Sequence, residues 1–421
     1  MKSTPELDAA IGYLKSPLAI RARAENVLSV GLVDGLEHFT IELSRLGAVA
    51  DRVAAVTRAA YPDLDIPVHG RINHFRAGGV DRAAWIETAL APRRADIEAR
   101  SWIELVVISV LLDAGAGDHW RYQEDGGRAY ARSEGLAVAS LHVFSEGLFS
   151  SDPKDPFRAD AAALAHLDVD RLAQAFQVTA TNPLVGLEGR ADLLRKLGET
   201  VAASPDVFPG ARVGGLLDTM FARTPVVTGL AGGTGSGAAI SAPDLLRLLL
   251  DAFGPIWPGR IELAGQNLGD TWRHPAAGGE GPTAGLAPFH KLSQWLAYSL
   301  FEPIERSGLR VTQPGALTGL PEYRNGGLLV DLGVLVPKHA DVLGKIHKPG
   351  AEIIVEWRAL TVALLDRVAD LVRERLGKTA EELPLARILE GGTWAAGRAV
   401  AAELRPGGGP PIQIESDGTV F

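Results

Sequence analysis

The chain has 421 residues, of which 46% are hydrophobic and 22% charged, a balance that is typical of a globular protein. Its net charge of −9 argues against a general nucleic-acid-binding surface and leaves room only for a local basic pocket that binds a single phosphate. The absence of cysteine excludes disulfides, thiolate metal sites and a cysteine nucleophile.

The first residues, Met1 to Asp8, lack the apolar core of a signal peptide, and no run approaches the roughly 20 apolar residues of a membrane span. We therefore predict a cytoplasmic protein with no membrane partner. The sequence shows no internal repeat and no clear linker. We expect one unit over residues 1–421, and two helical lobes with the site between them are an alternative.

Helical periodicity dominates and predicts a mainly α, multi-helix globular fold with a few short β-strands. The clearest helices are expected at Arg93 to Leu112, Ala287 to Leu300 and Ala351 to Leu376. The first of these has a second half that is apolar on every side, so we expect it to be buried at the centre. Trp120 to Glu124 fits a short strand.

A dense polar loop follows the first helical region and carries His69, Arg71, His74 and Arg76. The two histidines are poor zinc ligands, because neighbouring cations oppose metal binding and no third ligand lies nearby in sequence. Arg71, His74 and Arg76 fit an anion-binding loop better, and a solvated loop explains them equally well.

Three other local patterns allow an interpretation. Leu230 to Gly237 is rich in glycine but lacks the ending of a phosphate loop and the dinucleotide spacing, so we interpret it as a flexible loop. Ser133 is a candidate cap for the helix that Glu134 opens. The residues from Ile412 to Phe421 alternate in the manner of a terminal strand.

The segment from Thr318 to Leu335 is the richest in chemical groups. Pro321 suits a first helical position, which places Glu322 in the first turn, where unpaired backbone N–H groups favour an anion and keep the carboxylate ionised. Residues 323–325 then supply donors for a polar ligand. The alternative is an ordinary helix start with an acidic first turn and a solvent-facing arginine.

Two predicted helices carry polar groups among apolar neighbours. Lys291, Gln294 and Tyr298 are spaced i, i+3 and i+7, which places them on one stripe of their helix. Glu356 lies on the apolar side of the last long helix, so it is either a buried, paired carboxylate or a residue of a pocket.

Several segments together carry a resemblance to a known family. They are His69 to Arg71 with His74-Phe75, Gly78 to Arg82, Ser109 to Gly117, Arg132 to Ala137, Asn182 to Arg190, Thr318 to Leu335 and Glu415 to Phe421. Nearly the whole chain resembles the uracil-catabolism family of the URC/URG pathway, a former domain of unknown function. The resemblance implies a role in a pathway that passes through a ribosylurea species, from which one member must release urea.

A second resemblance concerns a shorter part of the chain. Leu320 to Arg324 followed by Leu332 to Leu335 is similar to the Asp-Tyr-Arg motif of the queuosine-salvage N-glycosylases, with further matches at His290-Lys291, Gln294 and Glu352 to Arg358. Those enzymes are largely helical, resemble helix-hairpin-helix DNA glycosylases, and hydrolyse a nucleoside 5′-monophosphate. This chain departs from the motif because it has glutamate where that family has aspartate.

Both resemblances imply an N-glycoside hydrolase that cleaves a ribosylurea, or its 5′-phosphate, to urea and ribose or ribose phosphate. The oxocarbenium-like transition state of such a reaction needs a carboxylate near the anomeric carbon, a positioned water and help for the departing nitrogen. Glu322 is the first candidate for this carboxylate. Asp331 ranks second, because nine residues place it about 180° away around a continuous helix.

The other implied site residues surround the substrate. They are Arg71 and Lys291 for a 5′-phosphate, His74 as an assisting group, Trp295, Tyr323 and Gln294 for the sugar and urea, Glu134 as a urea acceptor, and Arg324 and Glu356 as further polar contacts. We predict no metal and no cofactor, a ribosylated small molecule as the partner, and no particular oligomeric state. The alternative from another class is a non-catalytic scaffold or regulatory subunit of uracil degradation, and a urea-releasing metal hydrolase is disfavoured by the scattered histidines.

Overall fold

The structure is a computed structural model that describes residues 4–224, the backbone of 226–227, and residues 237–415. The glycine-rich stretch interpreted as a flexible loop lies outside the described residues except for Gly237. The last six residues of the predicted terminal strand, 416–421, lie outside them as well.

Most of the described residues are helical, which confirms the prediction of a mainly α fold with few short strands. The helices are α1 (Pro5–Leu14), α2 (Pro17–Gly31), α3 (Leu46–Ala60), α4 (Arg71–His74), α5 (Arg82–Leu90), α6 (Ala95–Leu111), α7 (Arg132–Ser145), α8 (Ala161–Ala165), α9 (Val169–Ala175), α10 (Leu187–Ala203), α11 (Leu216–Arg223), α12 (Ala242–Ala252), α13 (Lys291–Arg306), α14 (Tyr323–Asp331), α15 (Asp341–Gly344), α16 (Glu352–Leu376), α17 (Leu385–Ile388) and α18 (Trp394–Leu404). The helix-hairpin-helix likeness stays a prediction.

The strands are short and form small separate sheets. They are β1 (Phe39–Ile41), β2 (Arg121–Glu124), β3 (Arg128–Ala131), β4 (Val226–Val227), β5 (Gly237–Ser241), β6 (Glu262–Leu263), β7 (Gln266–Asn267), β8 (Thr271–Arg273), β9 (Leu286–Pro288), β10 (Arg310–Thr312), β11 (Leu335–Pro337), β12 (Ile346–His347) and β13 (Gln413–Ile414). The predicted strand around residue 122 is confirmed as β2, which forms a hairpin with β3. The parallel pairing of β12 with β13 docks the described end of the chain onto a segment about 65 residues earlier.

The prediction of a buried central helix is confirmed by α6. Every residue from Trp102 to Leu112 is buried, and the helix packs against α7 and α13. Its one buried acid, Glu104, is paired with Arg212 at 2.8 and 2.9 Å and also accepts hydrogen bonds from the backbone N–H groups of Ala159 and Gly214. Burial raises the pKa of Glu104, and the Arg212 charge opposes this rise.

The last long helix, α16, begins one residue after its predicted start. It packs against α2 and α3, and it ends at Gly377, which adopts the left-handed conformation (φ 65°) of a helix C-terminus. Buried apolar residues from Ile20 to Ile412 form one contiguous core cluster, while a smaller cluster surrounds Ile11 near the N-terminus. Whether the chain is one unit or two lobes stays a prediction.

Helix α13 begins four residues later than its pattern predicts. Residues Leu286–Pro288 pair with β8 as strand β9, and His290 adopts a left-handed conformation (φ 48°) immediately before the helix. This bend makes Lys291 the first helical residue. Within the described part of the chain, no helix is both long and apolar enough to cross a membrane.

Candidate functional site

A cleft of about 740 Å³ brings polar groups together, and its size is typical of small-molecule sites. Its walls come from widely separated segments of the chain. The lining polar and aromatic residues are His69, His74, Asp113, Asp118, Arg121, Arg132, Ser133, Lys291, Trp295, Glu322, Tyr323, Arg324, Trp394 and Gln413. Six predicted site residues are therefore brought together: His74, Lys291, Trp295, Glu322, Tyr323 and Arg324.

Glu322 is the N-cap residue of α14, so the expected helical position of Pro321 is wrong. Glu322 has extended backbone angles (φ −109°, ψ 163°), and the helix starts only at Tyr323. Its carboxylate accepts hydrogen bonds from the backbone N–H groups of Arg324 (2.7 Å) and Asn325 (2.5 Å). The carboxylate is thus oriented beside the cleft by two hydrogen bonds, and not only by the helix dipole that a first-turn position would provide.

The charge state of Glu322 is set by opposing effects. Burial raises the pKa of its carboxyl group above the usual value, although the two backbone hydrogen bonds and the charges of Lys291 and Arg324 oppose this rise. The expectation that Glu322 is ionised thus stays a prediction, supported by the donors and cations around the carboxylate.

Lys291 places a cation at the N-terminus of a helix, where the helix dipole disfavours positive charge. Burial lowers the pKa of its ammonium group, and the carboxylates of Glu322 and Asp113 oppose that shift. Its backbone N–H donates to Asp270 (3.0 Å), which a bidentate ion pair with Arg358 holds in place. The fold therefore fixes Lys291 firmly in an otherwise unfavourable position next to two acids.

Arg71 lies behind the cleft lining, where it contacts Asp113 and Ser133, and it is fully buried. Its Nε donates to Ser109 Oγ (2.6 Å), its Nη1 donates to the backbone carbonyl of Ser133 (3.1 Å), and an ion pair of 3.1 Å joins it to Asp113. It does not line the cleft. Its Nε and Nη1 are occupied by these partners, while its buried Nη2 has no hydrogen-bond partner among the described residues, so contact with a phosphate stays a prediction.

The contact with Arg71 assigns the tautomer of His74. A guanidinium can only donate, so Nδ1 of His74, 3.2 Å from Arg71 Nη1, must accept, and the ring proton lies on Nε2. Burial, followed by the Arg71 charge, lowers the pKa of His74 to about 4. The ring lies 5.9 Å from that of Trp295 and 6.1 Å from that of Trp394, between centroids. His74 is thus a neutral N–H donor in an aromatic setting.

Ser133 does not cap α7, contrary to the expectation from the sequence. The helix begins at Arg132 and has no side-chain cap, because the Ser133 hydroxyl donates instead to Asp113 (2.8 Å). Glu134 is paired with Arg398 at 2.5 Å and does not line the cleft. Any contact of Glu134 with urea stays a prediction.

Gln294, Asp331 and Glu356 also lie outside the cleft lining. Gln294 is buried, and its side-chain amide donates to Thr318 Oγ1 at 2.8 Å. Because α14 is continuous through its two glycines, Asp331 points away from Glu322 and forms a bidentate ion pair with Arg405 (2.7 and 2.6 Å).

Glu356 is a paired, buried carboxylate, which was one of the two alternatives for it. It accepts from the backbone N–H groups of His38 (3.1 Å) and Phe39 (3.0 Å) and lies 3.3 Å from His274. Within residues 4–224 and 237–415, one group of three potential metal ligands occurs, formed by His38, Glu352 and Glu356 with ligand atoms within 4.8 Å of one another. It lies away from the cleft.

Sequence reasoning missed Asp113, Trp394 and the segment around Gln413 as parts of the cleft. A signal existed for Asp113, since it is the first acid after a long apolar helix and precedes a glycine-rich loop. Trp394 follows a π-helical turn, Leu389–Thr393, and such turns are frequent at functional sites. No local pattern in the sequence indicates that turn.

Comparison with known proteins identifies the family. Residues 13–421 match the family described as "Protein of unknown function (DUF1688)", so the chain belongs to that family. It is 42% identical over 419 residues to "Protein urg3" of Schizosaccharomyces pombe, an alignment that covers 98% of this chain and 99% of that protein. It is 38% identical over 447 residues to "Uracil catabolism protein 4" of Lachancea kluyveri, covering 99% and 100%. The resemblance to the uracil-catabolism family is confirmed.

Proposed function

We propose that this protein takes part in uracil catabolism as an N-glycoside hydrolase that cleaves a ribosylurea to urea and ribose, or its 5′-phosphate to urea and ribose 5-phosphate. The name of the Lachancea kluyveri relative supports the pathway. The observation that carries the reaction is that the buried carboxylate of Glu322, the ammonium of Lys291 and the carboxylate of Asp113 line one cleft. The queuosine-salvage resemblance of the segment around Glu322 supports the same chemistry.

In this proposal the carboxylate of Glu322 lies beside the anomeric carbon. As the C–N bond to urea breaks, positive charge develops on the ribose, and an oriented carboxylate in a buried site stabilises it. One water adds its oxygen to the anomeric carbon, and a proton from that water ends on the urea nitrogen. The two backbone N–H groups that hold the carboxylate supply the orientation.

The departing urea needs donors and acceptors on the other side of the sugar. The Nε2–H of His74 is a neutral donor for the urea carbonyl oxygen, and Asp113 is an acceptor for the urea N–H groups. Lys291 is electrostatically coupled to both acids, so it can donate to the leaving group or hold Glu322 ionised. The indoles of Trp295 and Trp394 exclude water from the reacting centre.

A scaffold or regulatory subunit remains the alternative. Such a protein has no need to place two acids, a lysine and an oriented histidine in one cleft, so the shared lining favours the enzyme. In this proposal Arg71 is a positioning residue, because it orients His74 and pairs with Asp113.

The test is the release of urea from ribosylurea and from its 5′-phosphate by the Glu322→Gln variant. Glutamine keeps the shape and removes the charge, so we expect turnover to fall by roughly 10²–10⁴. Glu322→Asp should retain part of the activity, because aspartate is a good N-cap and keeps the charge. Turnover of Glu322→Gln within a few-fold of the parent would refute the assignment.

A matched control separates the loss of a helix cap from the loss of chemistry. Ser241 caps α12 by accepting from the backbone N–H of Asp244 (3.1 Å), and it does not line the cleft. Ser241→Ala should cost about 0.5–2 kcal/mol of stability, as cap removal does elsewhere, and leave turnover unchanged.

A further inference from the structure

A second cavity, of about 530 Å³, lies next to the cleft and shares four of its lining residues. The shared residues are Arg132, Arg324, Pro406 and Gly407. We call the second cavity the arginine pocket, because Arg398 and Arg405 line it as well. Four guanidinium groups and one carboxylate, that of Glu403, line this small cavity, so its lining is basic on balance even though the whole chain carries a charge of −9.

Two of these arginines are neutralised by carboxylates. Arg398 is paired with Glu134 at 2.5 Å, and Arg405 forms the bidentate ion pair with Asp331. These pairs fix the wall of the arginine pocket, and they add little net charge to it. The positive potential therefore concentrates on Arg132 and Arg324, the two residues at the junction with the cleft.

Arg324 is 5% exposed and has no carboxylate within 4.0 Å of its guanidinium among the residues that the structure describes. Its Nη1 donates to the carbonyl of Gly408 (2.7 Å), its charge lies 4.8 Å from the ring of Tyr323, and its buried Nε has no hydrogen-bond partner in the described chain. A buried guanidinium with an unused donor is costly unless an anion compensates it.

Arg132 is held in an unusual backbone conformation at the same junction. It is the first residue of α7 and adopts φ 53°, in the left-handed region that a non-glycine residue rarely occupies. Its nearest carboxylate, Asp118, is 3.7 Å away and 86% exposed, and its Nη2 donates to the carbonyl of Gly407 (3.3 Å). Such backbone strain is typical of sites that position a side chain for a ligand.

We propose that the junction of the cleft and the arginine pocket binds a phosphate monoester, held by Arg132 and Arg324. A dianion matches two cations of which Arg324 has no carboxylate within 4.0 Å among the described residues and Arg132 has only the exposed Asp118 at 3.7 Å. Planar guanidinium groups bind phosphate oxygens in a bidentate manner. This inference rests on the proposed function, because it assigns the anionic end of the same ribosylated substrate.

The geometry of Arg324 links this phosphate site to the proposed reaction centre. Its backbone N–H donates to the Glu322 carboxylate, while its guanidinium lies at the junction. The length of one arginine side chain therefore separates the two sites. That length is on the scale of the separation between the anomeric carbon and the 5′-phosphate of a ribose. Arg132 and Arg324 therefore take the phosphate-binding role that the sequence analysis gave to Arg71.

The test is a calorimetric titration of the full chain with ribose 5-phosphate, ribose and inorganic phosphate. We expect ribose 5-phosphate to bind more tightly than ribose. Arg132→Gln should raise the Kd for ribose 5-phosphate by about tenfold or more, because a charge-assisted contact is lost. The Kd for ribose should stay unchanged. Arg132→Lys should recover part of the affinity. Because Arg132 is half-exposed, its replacement leaves the core intact.

Arg94→Gln is the control for a simple change of net charge. Arg94 is 81% exposed and is the N-cap residue of α6, whereas the cleft lies beyond the C-terminus of that helix. It should leave every Kd unchanged. Equal affinity of the wild-type protein for ribose and ribose 5-phosphate would overturn the phosphate site, as would an unchanged Kd in Arg132→Gln. Loss of ribose 5-phosphate binding in Arg132→Gln, together with full turnover in Glu322→Gln, would support the phosphate site and refute the proposed hydrolytic role of Glu322.

Discussion

At the scale of single residues, the surroundings of His74 fix both its tautomer and its charge. Arg71 commits its Nδ1 to accepting a hydrogen bond, and burial keeps the ring neutral. A histidine in this state serves as a fixed N–H donor rather than as a proton source at neutral pH. Polarisation of a carbonyl group, such as that of urea, is the role that fits it.

The lowered pKa of His74 predicts how stability depends on pH. Its ordinary value is about 6.5 and its value in the folded protein is about 4, so the unfolded chain binds more protons between these values. The contribution is present in full above about pH 6.5 and is lost as the pH falls through about 4. In the His74→Asn variant, the side-chain amide oxygen can still accept a hydrogen bond from Arg71, and the amide does not titrate.

We therefore expect the wild-type melting temperature to fall more steeply between pH 6.5 and 4 than that of His74→Asn. Thermal unfolding of both proteins over this range gives the comparison. The exposed residue His166 provides the control, because His166→Asn should follow the wild-type profile. Parallel curves for the wild type and His74→Asn would show that His74 is not held neutral by the fold.

At the scale of elements, the position of Glu322 depends on close contacts of α14 with two other helices. A Cβ atom on Gly397 of α18 would meet the carbonyl oxygen of Arg324 at 2.3 Å, and one on Gly326 would meet Trp357 of α16 at 2.8 Å. Only glycine allows these approaches. The start of α14, and with it the Glu322 carboxylate, is thus set by backbone packing.

Gly397→Ala should push α18 away from α14 and misplace Glu322 and Arg324. We expect a loss of about 1–3 kcal/mol in stability from overpacking, and a fall in turnover that exceeds what the unfolded fraction explains. Urea unfolding and the urea-release assay measure the two effects. Gly189→Ala in α10 is the matched control, since its Cβ would meet nothing within 4 Å. It should stabilise the protein slightly and leave activity unchanged.

The elements also show what the sequence can predict. The cores of α6 and α16 could be predicted from local apolar periodicity. A helix buried on all sides or on one side shows a recognisable pattern of apolar residues within a few turns. The partners of Asp331 and Glu356 could not be predicted, since Arg405 and the backbone near His38 lie 74 and more than 300 residues away. No local pattern in the sequence indicates contacts between residues that are so far apart.

The same limit explains the mixed outcome for the site. The segment around Glu322 was found because its acid, its donors and its helix start are adjacent in sequence. Arg71 was predicted to contact the ligand because nothing in the local sequence indicates that a cation in a polar loop is buried. The groups that enclose it are Ser109 of α6, Ser133 of α7 and Asp113, which follows α6. Asp113 was overlooked for the opposite reason, as an acid that ends a helix is common.

At the scale of the whole molecule, the cleft joins distant parts of the chain. Its lining runs from His69 to Ile414, and β13 reaches it only through pairing with β12. Ile412, which is fully buried, belongs both to the cleft wall and to the main core cluster. Formation of the site and formation of the core are therefore one event for this segment.

Ile412→Ala should destabilise the whole protein by about 2–5 kcal/mol, as large-to-small changes in a core do, and should weaken ribose 5-phosphate binding. Ile346, on the paired strand, is 68% exposed and makes a matched control. Ile346→Ala should change the free energy of unfolding by no more than about 0.5 kcal/mol. Urea denaturation of the two variants measures the difference, and equal effects would contradict the placement of Ile412 in the core.

The scattered origin of the cleft wall has a practical consequence for finding the natural ligand. A small molecule that bridges segments from position 69 to position 414 binds only the folded chain, so it must shift the unfolding equilibrium. At a concentration of 100 times its Kd, the shift amounts to about 2.7 kcal/mol. A melting screen across nucleosides, ribosylated ureas and sugar phosphates can thus rank candidate ligands before any reaction is assayed, and it works equally well for the Glu322→Gln protein, whose turnover we expect to be low.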